Sequence, residues 1–385
     1  MRLGLVSAAY PPDLDGIGDY TWWMARALAI SDDVEKPVVV FTRDGSDHKA
    51  SPGVKVSEFF NPQRAKTVSR LLASLEREDR DEERPLDWLV LQYNPFSWGR
   101  RGYCPWVPST LRRLRQSGSA TRLAVMFHET TIPKWPWRFS LMFAWQYPIF
   151  RNVCRIADMA FVSTTRWIPQ VRRAATGLPI HHLPVGSNIP LCNVSRDEAR
   201  MKLGIERDAT VLGVFGGAHI SRRLDWIAAT VAEAKRTHPG RRTALLYIGP
   251  EGRAMRRALG DSDLIDCGAL PPEEVGCRLR ALDAAISPFL DGVSTRRGSV
   301  MAFLQHGIPI ATNQSSWTDE LFRQATPPGL LVSSARSAMA FAAETAGWLD
   351  RLQTGKVPDL QVSNFYDQNF NWRIIADTMM RHLWR

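Results

Sequence analysis

A series of short, near-continuous apolar runs, each ending in a polar or glycine-containing turn, constrains this chain more than any other feature. In the first half they fall at residues 3–7, 37–41, 88–92, 123–127 and 159–162. A second series follows at 210–215, 244–248, 284–287 and 308–311. A strand covered on one face alternates apolar and polar residues, whereas a strand covered on both faces does not. Helical patterns separate the runs, as at 20–29 and 223–235, so the expected class is α/β, with parallel sheets between layers of helices. Because the series restarts, two Rossmann-like, doubly wound domains are expected, 1–190 and 191–365. The break falls near Leu183-Pro-Val-Gly-Ser-Asn-Ile-Pro190, and Ser195-Arg-Asp-Glu198 just beyond it has the form of a helix-starting capping box. The last segment, 369–383, is amphipathic with a helical period.

Composition narrows the function classes. With 385 residues, 14 Trp and 16 Phe, the chain can bury two substantial cores, which excludes disorder as its main state. Its 49 basic against 39 acidic residues leave a net charge of +10. Arginine pairs at 112–113, 172–173, 222–223, 241–242, 256–257 and 296–297 spread that charge along the chain. A nucleic-acid protein concentrates charge on one face, so no nucleic-acid partner is expected, and anionic small molecules or an acidic membrane surface fit better. No stretch matches the roughly 20 apolar residues of a membrane span. The longest, 139–150, contains Gln146 and Pro148. The apolar start is too brief for a signal peptide, which points to a cytoplasmic protein. Five cysteines (104, 154, 192, 267 and 277), odd in number and without a CxxC, argue against a disulfide scaffold and a structural zinc site and for a reducing compartment. The charged run 76–84 reads as a solvated helix end. Segment 134–147, with Lys, Trp and Arg beside apolar residues, reads as an inter-domain or core helix, or as an interfacial helix receiving a lipid-linked acceptor.

In open α/β sheets, ligands gather at the carboxyl ends of strands. Five such loops carry polar chemistry. Gly16-Ile17-Gly18 lets backbone approach a ligand ahead of a helix N-terminus that favours negative charge. Tyr93-Asn94 and His128-Glu129 end neighbouring strands, and a histidine there can bond a substrate hydroxyl. Gly216-Gly217-Ala-His219-Ile-Ser-Arg222-Arg223 combines free amides with cations. The richest loop, Asp291-Gly-Val-Ser294-Thr295-Arg296-Arg297-Gly298-Ser299, brings hydroxyls, amides and two guanidinium groups to a helix N-terminus, the requirements of a diphosphate.

The order of Tyr10-Pro-Pro, Gly16-Ile-Gly, His128-Glu, Leu183-Pro-Val-Gly-Ser-Asn, Asp266-Cys-Gly-Ala-Leu-Pro-Pro-Glu-Glu and Gly292-Val-Ser-Thr-Arg-Arg-Gly-Ser…His306-Gly-Ile-Pro resembles GT-B glycosyltransferases, closest to the retaining family 4 enzymes. The resemblance covers nearly the whole chain. It implies two domains facing across a cleft, with the final segment, 366–385, returning to the first. It also implies sugar transfer from a nucleotide diphosphate-sugar to an acceptor hydroxyl with retention of configuration, without metal or other cofactor. The acceptor could be lipid-linked or a polysaccharide, which would add peripheral contact with the inner membrane face. His128 and Asp291 would be catalytic. Gly16, Ile17, Gly18, Gly217, Arg222, Gly268, Leu270, Ser294, Thr295, Arg296, Arg297, Gly298 and Ser299 would hold the donor, and Tyr93 and Asn94 the acceptor. The sequence departs from the family at its two glutamates, whose positions hold Ser294 and Ala302. Asp291-Gly292 is the candidate replacement, and an impaired nucleotide-sugar-binding protein of the same fold is the rival reading. The pairs Asp13-Leu-Asp15 and Asp261-Ser-Asp263 match a metal-binding DxD by chance.

Overall fold

The computed structural model describes the chain except residues 14, 46, 61–66, 118–119, 133–136, 219–220, 261–263, 325, 355–358 and 385. It forms two compact units, Met1–Pro184 with Trp372–Arg385, and Val185–Asn371. The sequence reading puts the breaks after residues 190 and 365. The pair 261/263, His219, Leu14 and the start of segment 134–147 lie outside the described residues.

Unit 1 is a seven-stranded sheet, β3-β2-β1-β4-β5-β6-β7. Its strands are β1 (Arg2–Val6), β2 (Glu35–Arg43), β3 (Val54–Phe60), β4 (Trp88–Tyr93), β5 (Arg122–Phe127), β6 (Met159–Val162) and β7 (Ile180–His182), and every pairing is parallel. The helices are α1 (Gly16–Ile30), α2 (Thr67–Asp81), α3 (Pro95–Trp98), α4 (Trp106–Gln116), α5 (Trp137–Ile156) and α6 (Ile168–Ala174). β1, β4 and β6 are buried at every position, as their unbroken apolar runs require.

Two local expectations change here. Gly16-Ile17-Gly18 is not a loop but the first turn of α1, started by Asp15, whose carboxylate accepts from the Ile17 and Gly18 amides at 2.9 and 2.8 Å. Nor is the 76–84 run wholly solvated. Glu78 is buried and pairs with buried Arg2 at 3.2 Å and with Lys55 at 2.8 Å, so α2 turns one acid toward the sheet.

Unit 2 is a six-stranded parallel sheet, β10-β9-β8-β11-β12-β13. Its strands are β8 (Thr210–Phe215), β9 (Thr243–Ile248), β10 (Leu264–Asp266), β11 (Ala284–Ser287), β12 (Ile310–Asn313) and β13 (Leu330–Ser333). The helices are α7 (Arg196–Lys202), α8 (Leu224–Thr237), α9 (Gly252–Leu259), α10 (Pro272–Leu279), α11 (Gly298–Gln305), α12 (Ala338–Thr354) and α13 (Asp359–Asn369). The capping box forms as expected, with Ser195 and Glu198 satisfying each other's amides. The cysteine reading needs correction, because Cys192 and Cys277 form a disulfide across 85 residues of sequence. Counting and spacing miss such a pair, since the fold alone sets the segment around Cys192 against α10. The case for a reducing compartment loses this support.

The last helix, α14 (Trp372–Leu383), belongs to unit 1. It buries Trp372, Ile375, Met379, Met380 and Leu383 at helical spacing. Trp372 meets Tyr20 of α1 edge-on at 5.1 Å, and Trp88 Nε1 donates to the Leu383 carbonyl at 3.0 Å. Among the described residues, no helix is long and apolar enough to cross a membrane.

Candidate active site

In unit 2 the loops after β8 and β11 are pinned together. Leu290 N–H donates to Ser221 O at 2.8 Å, and Arg223 N–H to Pro288 O at 3.1 Å. Asn313, at the end of β12, accepts from Phe289 N–H at 2.7 Å and returns a bond to its carbonyl at 3.0 Å. The Phe289 ring then lies beneath two guanidinium groups, Arg222 at 5.0 Å and Arg297 at 4.2 Å.

Arg222 is buried, with 6% of its surface exposed. Its Nε donates to Gly217 O at 3.0 Å and its Nη2 to Phe215 O at 2.8 Å, while Nη1 is buried without a partner. Burial first, and the nearby Arg297 charge second, pull its pKa down to about 10. No carboxylate pairs with it among the described residues. Gly216, at φ +92°, makes the turn that brings these groups together. A Cβ there would lie 3.5 Å from Ser299 Cβ and 3.6 Å from Arg222 Nη2. α11 begins beside them, with Arg297 at its N-cap contributing no side-chain cap. The Gly298 and Ser299 amides make no hydrogen bond among the described residues, and both residues are partly exposed. Gly268 joins this edge by accepting from Gly249 N–H at 2.9 Å, and Leu270 beyond it is half-buried.

Several expected donor residues are committed elsewhere. The Asp291 carboxylate takes an ion pair from Arg297 and another from Arg296 at 3.3 Å. It is therefore placed to position the two cations rather than to meet a substrate. The Thr295 amide and hydroxyl donate to buried Asp319 at 2.8 and 2.9 Å, and Ser294 is buried. Of the expected donor residues, Gly298 and Ser299 keep open amides, Arg296 and Arg297 are held by Asp291, and the buried Ser294 hydroxyl has no hydrogen-bond partner among the described residues. Sequence reasoning missed Asp319 and Glu251. Glu251 accepts from Ala218 N–H at 2.9 Å and the Tyr247 hydroxyl at 3.2 Å, which holds the glycine turn. Its place just past β9 was the one available signal.

In unit 1, His128 follows β5. Its ring makes a 2.8 Å hydrogen bond with Gln92 Oε1 and meets Tyr20 edge-on at 4.6 Å. Burial lowers its pKa to about 3, so the imidazole is neutral near pH 7. Asn94 caps α3 by accepting from Phe96 N–H at 3.0 Å. Tyr93 is fully buried and packs on Phe127, so its side chain faces the core and not an acceptor. Ile17 and Gly18 offer no open amide, because Asp15 occupies both. His128 and Asp291 belong to different units.

No protein-family profile matches the chain. A D-inositol 3-phosphate glycosyltransferase of Actinosynnema mirum is 29% identical over 182 residues, which span 38% of this chain and 43% of the relative. The match thus covers less than half the length of that relative. Among solved structures, sucrose-phosphate synthase from Thermosynechococcus elongatus superposes with a TM-score of 0.71 at 16% identity, covering 99% of this chain and 98% of that one. WaaG, a glycosyltransferase involved in lipopolysaccharide biosynthesis, gives 0.67 at 13% identity, covering 99% of each chain. Anabaena HepE, in complex with UDP and glucose, gives 0.64 at 12%, covering 100% and 99%. The chain therefore has the GT-B fold, built from two Rossmann-like units. It resembles the glycosyltransferases of that fold along its whole length.

Proposed function

We propose that the chain is a glycosyltransferase that moves a sugar from a nucleotide diphosphate-sugar to an acceptor hydroxyl. The observation that carries this reading is Arg222, a buried guanidinium with an unmatched Nη1 and no ion pair among the described residues, near two open amides at the α11 N-terminus. A buried cation is costly unless a counter-charge joins it, and a diphosphate supplies one. In transfer, negative charge grows on the leaving diphosphate. Arg222 and the Gly298 and Ser299 amides stabilise that charge, and Arg296 and Arg297 add to the field. Neutral His128 orients the donor sugar through a ring nitrogen. The proposal includes retention of configuration and no metal, as the family resemblance implies. The UDP and glucose bound to HepE and the partial match to a D-inositol 3-phosphate glycosyltransferase support sugar transfer from a nucleotide donor.

Titration of the common nucleoside diphosphates by calorimetry tests the reading. One of them is expected to bind, and Arg222→Ala to weaken it at least about tenfold, since a charged hydrogen bond is worth roughly 1.5–3 kcal/mol. Undiminished affinity in that variant would overturn it. The Asp291 clamp and the residues Ser294 and Ala302, where the family has glutamates, favour a second reading, a nucleotide-sugar-binding protein without transfer. Release of nucleoside diphosphate from a bound sugar nucleotide, with stereochemistry read by NMR and activity unchanged by chelator, separates the two. Peripheral membrane contact and a lipid-linked acceptor are part of the proposal as well. They are favoured by Trp137 and Leu141 on α5, 71% and 61% exposed. Vesicle flotation that Trp137→Ala does not reduce would remove them.

A further inference from the structure

Unit 1 carries a second concave site, at the opposite end of its sheet from His128. A cavity of about 530 Å³ lies by the amino ends of β6 and β7, between the last turns of α5 and α6. Arg151, Arg155 and Arg173 line it, together with Thr176 and Asp158. Asp158 is the one acid among the lining residues, and it is already engaged. It accepts from Leu123 N–H at 2.7 Å and forms an ion pair with Arg115. Arg173 donates Nε to Pro169 O at 3.2 Å, and its two Nη groups have no acceptor among the described residues. Arg151 and Arg155 have neither ion pair nor hydrogen bond there.

Arg151, Arg155 and Arg173 are exposed and rise from the C-terminal parts of α5 and α6 around one hollow, and a concave wall focuses the field of such like charges on an anion. The volume is that of a small-molecule site. No aromatic side chain lines the hollow to stack a base, so the chemistry selects phosphate groups rather than a whole nucleotide. Ligands of doubly wound sheets sit at the carboxyl ends of strands, so a site at the amino ends is separate from the donor seat. We propose that this hollow binds a di- or polyphosphate group, independently of the glycosyltransferase reading.

Inorganic pyrophosphate is the probe, read by hydrogen exchange on the full chain. Exchange separates this site from unit 2, because peptides covering 151–158 and 173–179 report the hollow and peptides covering 216–222 and 298–305 report the donor seat. Pyrophosphate is expected to protect the first pair, and Arg155→Gln with Arg173→Gln to weaken that protection about tenfold or more while leaving the second pair unchanged. The charge-keeping Arg155→Lys with Arg173→Lys variant guards against misfolding and is expected to retain part of the binding. Flotation on phosphatidylglycerol against phosphatidylcholine vesicles tests the alternative. If flotation depends on Arg155 and Arg173 while pyrophosphate protects nothing, the face meets an anionic lipid surface and the di- or polyphosphate site is overturned. If neither probe responds to these substitutions, the proposal fails.

Discussion

Arg200 and Arg222 are both buried in unit 2, and the contrast between them locates the chemistry. Arg200 bonds through Nε, Nη1 and Nη2 to three carbonyls and to Asp283 at 2.7 Å, a closed structural network. Arg222 is left one nitrogen short, with Nη1 buried and without a partner. Both residues read alike in sequence, because satisfaction of a guanidinium depends on partners dozens of residues away. Titration offers a test at the same scale. His128 falls from 6.5 to about 3 on folding because burial disfavours its charged form. Between those values the unfolded chain binds the extra proton. The histidine's contribution to stability is therefore complete above 6.5 and declines as pH falls. Denaturant melts across this range should show His128→Gln with a shallower acid loss than the parent. Asp19 runs the other way, raised from 3.8 to about 6 by burial and then by neighbouring Asp15. Its folded form holds the proton more tightly, so the charged residue lowers stability above pH 6 and the penalty fades toward 3.8. Asp19→Asn should raise the Tm above pH 6, with a gain that shrinks on acidification. A gain that instead grows on acidification would contradict this.

Strands were legible in proportion to their depth in the sheet. The central strands of both units, among them β1, β4, β5, β8 and β11, stood out as unbroken apolar runs. The four strands not anticipated, β3, β7, β10 and β13, are the sheet edges. Edge strands are short or carry polar residues such as Lys55, Ser57 and Glu58 on β3, so periodicity cannot separate them from loops. The turn before α1 was misjudged for a related reason. Glycines were taken as loop formers, whereas Gly18 is needed because the helix presses on the preceding loop. A Cβ there would lie 3.1 Å from Ala9 C and Tyr10 N. Gly18→Ala should cost about 1–3 kcal/mol in chemical denaturation, with the helix intact by circular dichroism. A neutral result would mean that the loop yields freely.

For the molecule as a whole, α14 is the end of the chain that completes its beginning. Five large apolar side chains of this helix are buried in unit 1. At about 1.5–3 kcal/mol each they rival the 5–15 kcal/mol that typically separates folded from unfolded states. Truncation after Asn371 should leave residues 1–184 open to rapid proteolysis, while 185–371 persists as a protected fragment. Resistance of 1–184 would show the helix to be dispensable. Local patterning alone determined the α/β class, the twofold series of strands, the capping box at Ser195 and the loops in which to seek a phosphate, because each follows from residues close in the chain. Tertiary structure alone decided that Cys192 meets Cys277, that Asp291 clasps Arg296 and Arg297, that Asp319 holds Thr295, and that Arg222 keeps one nitrogen open. Those outcomes depend on which distant groups arrive beside one another, and no periodicity in the chain encodes that.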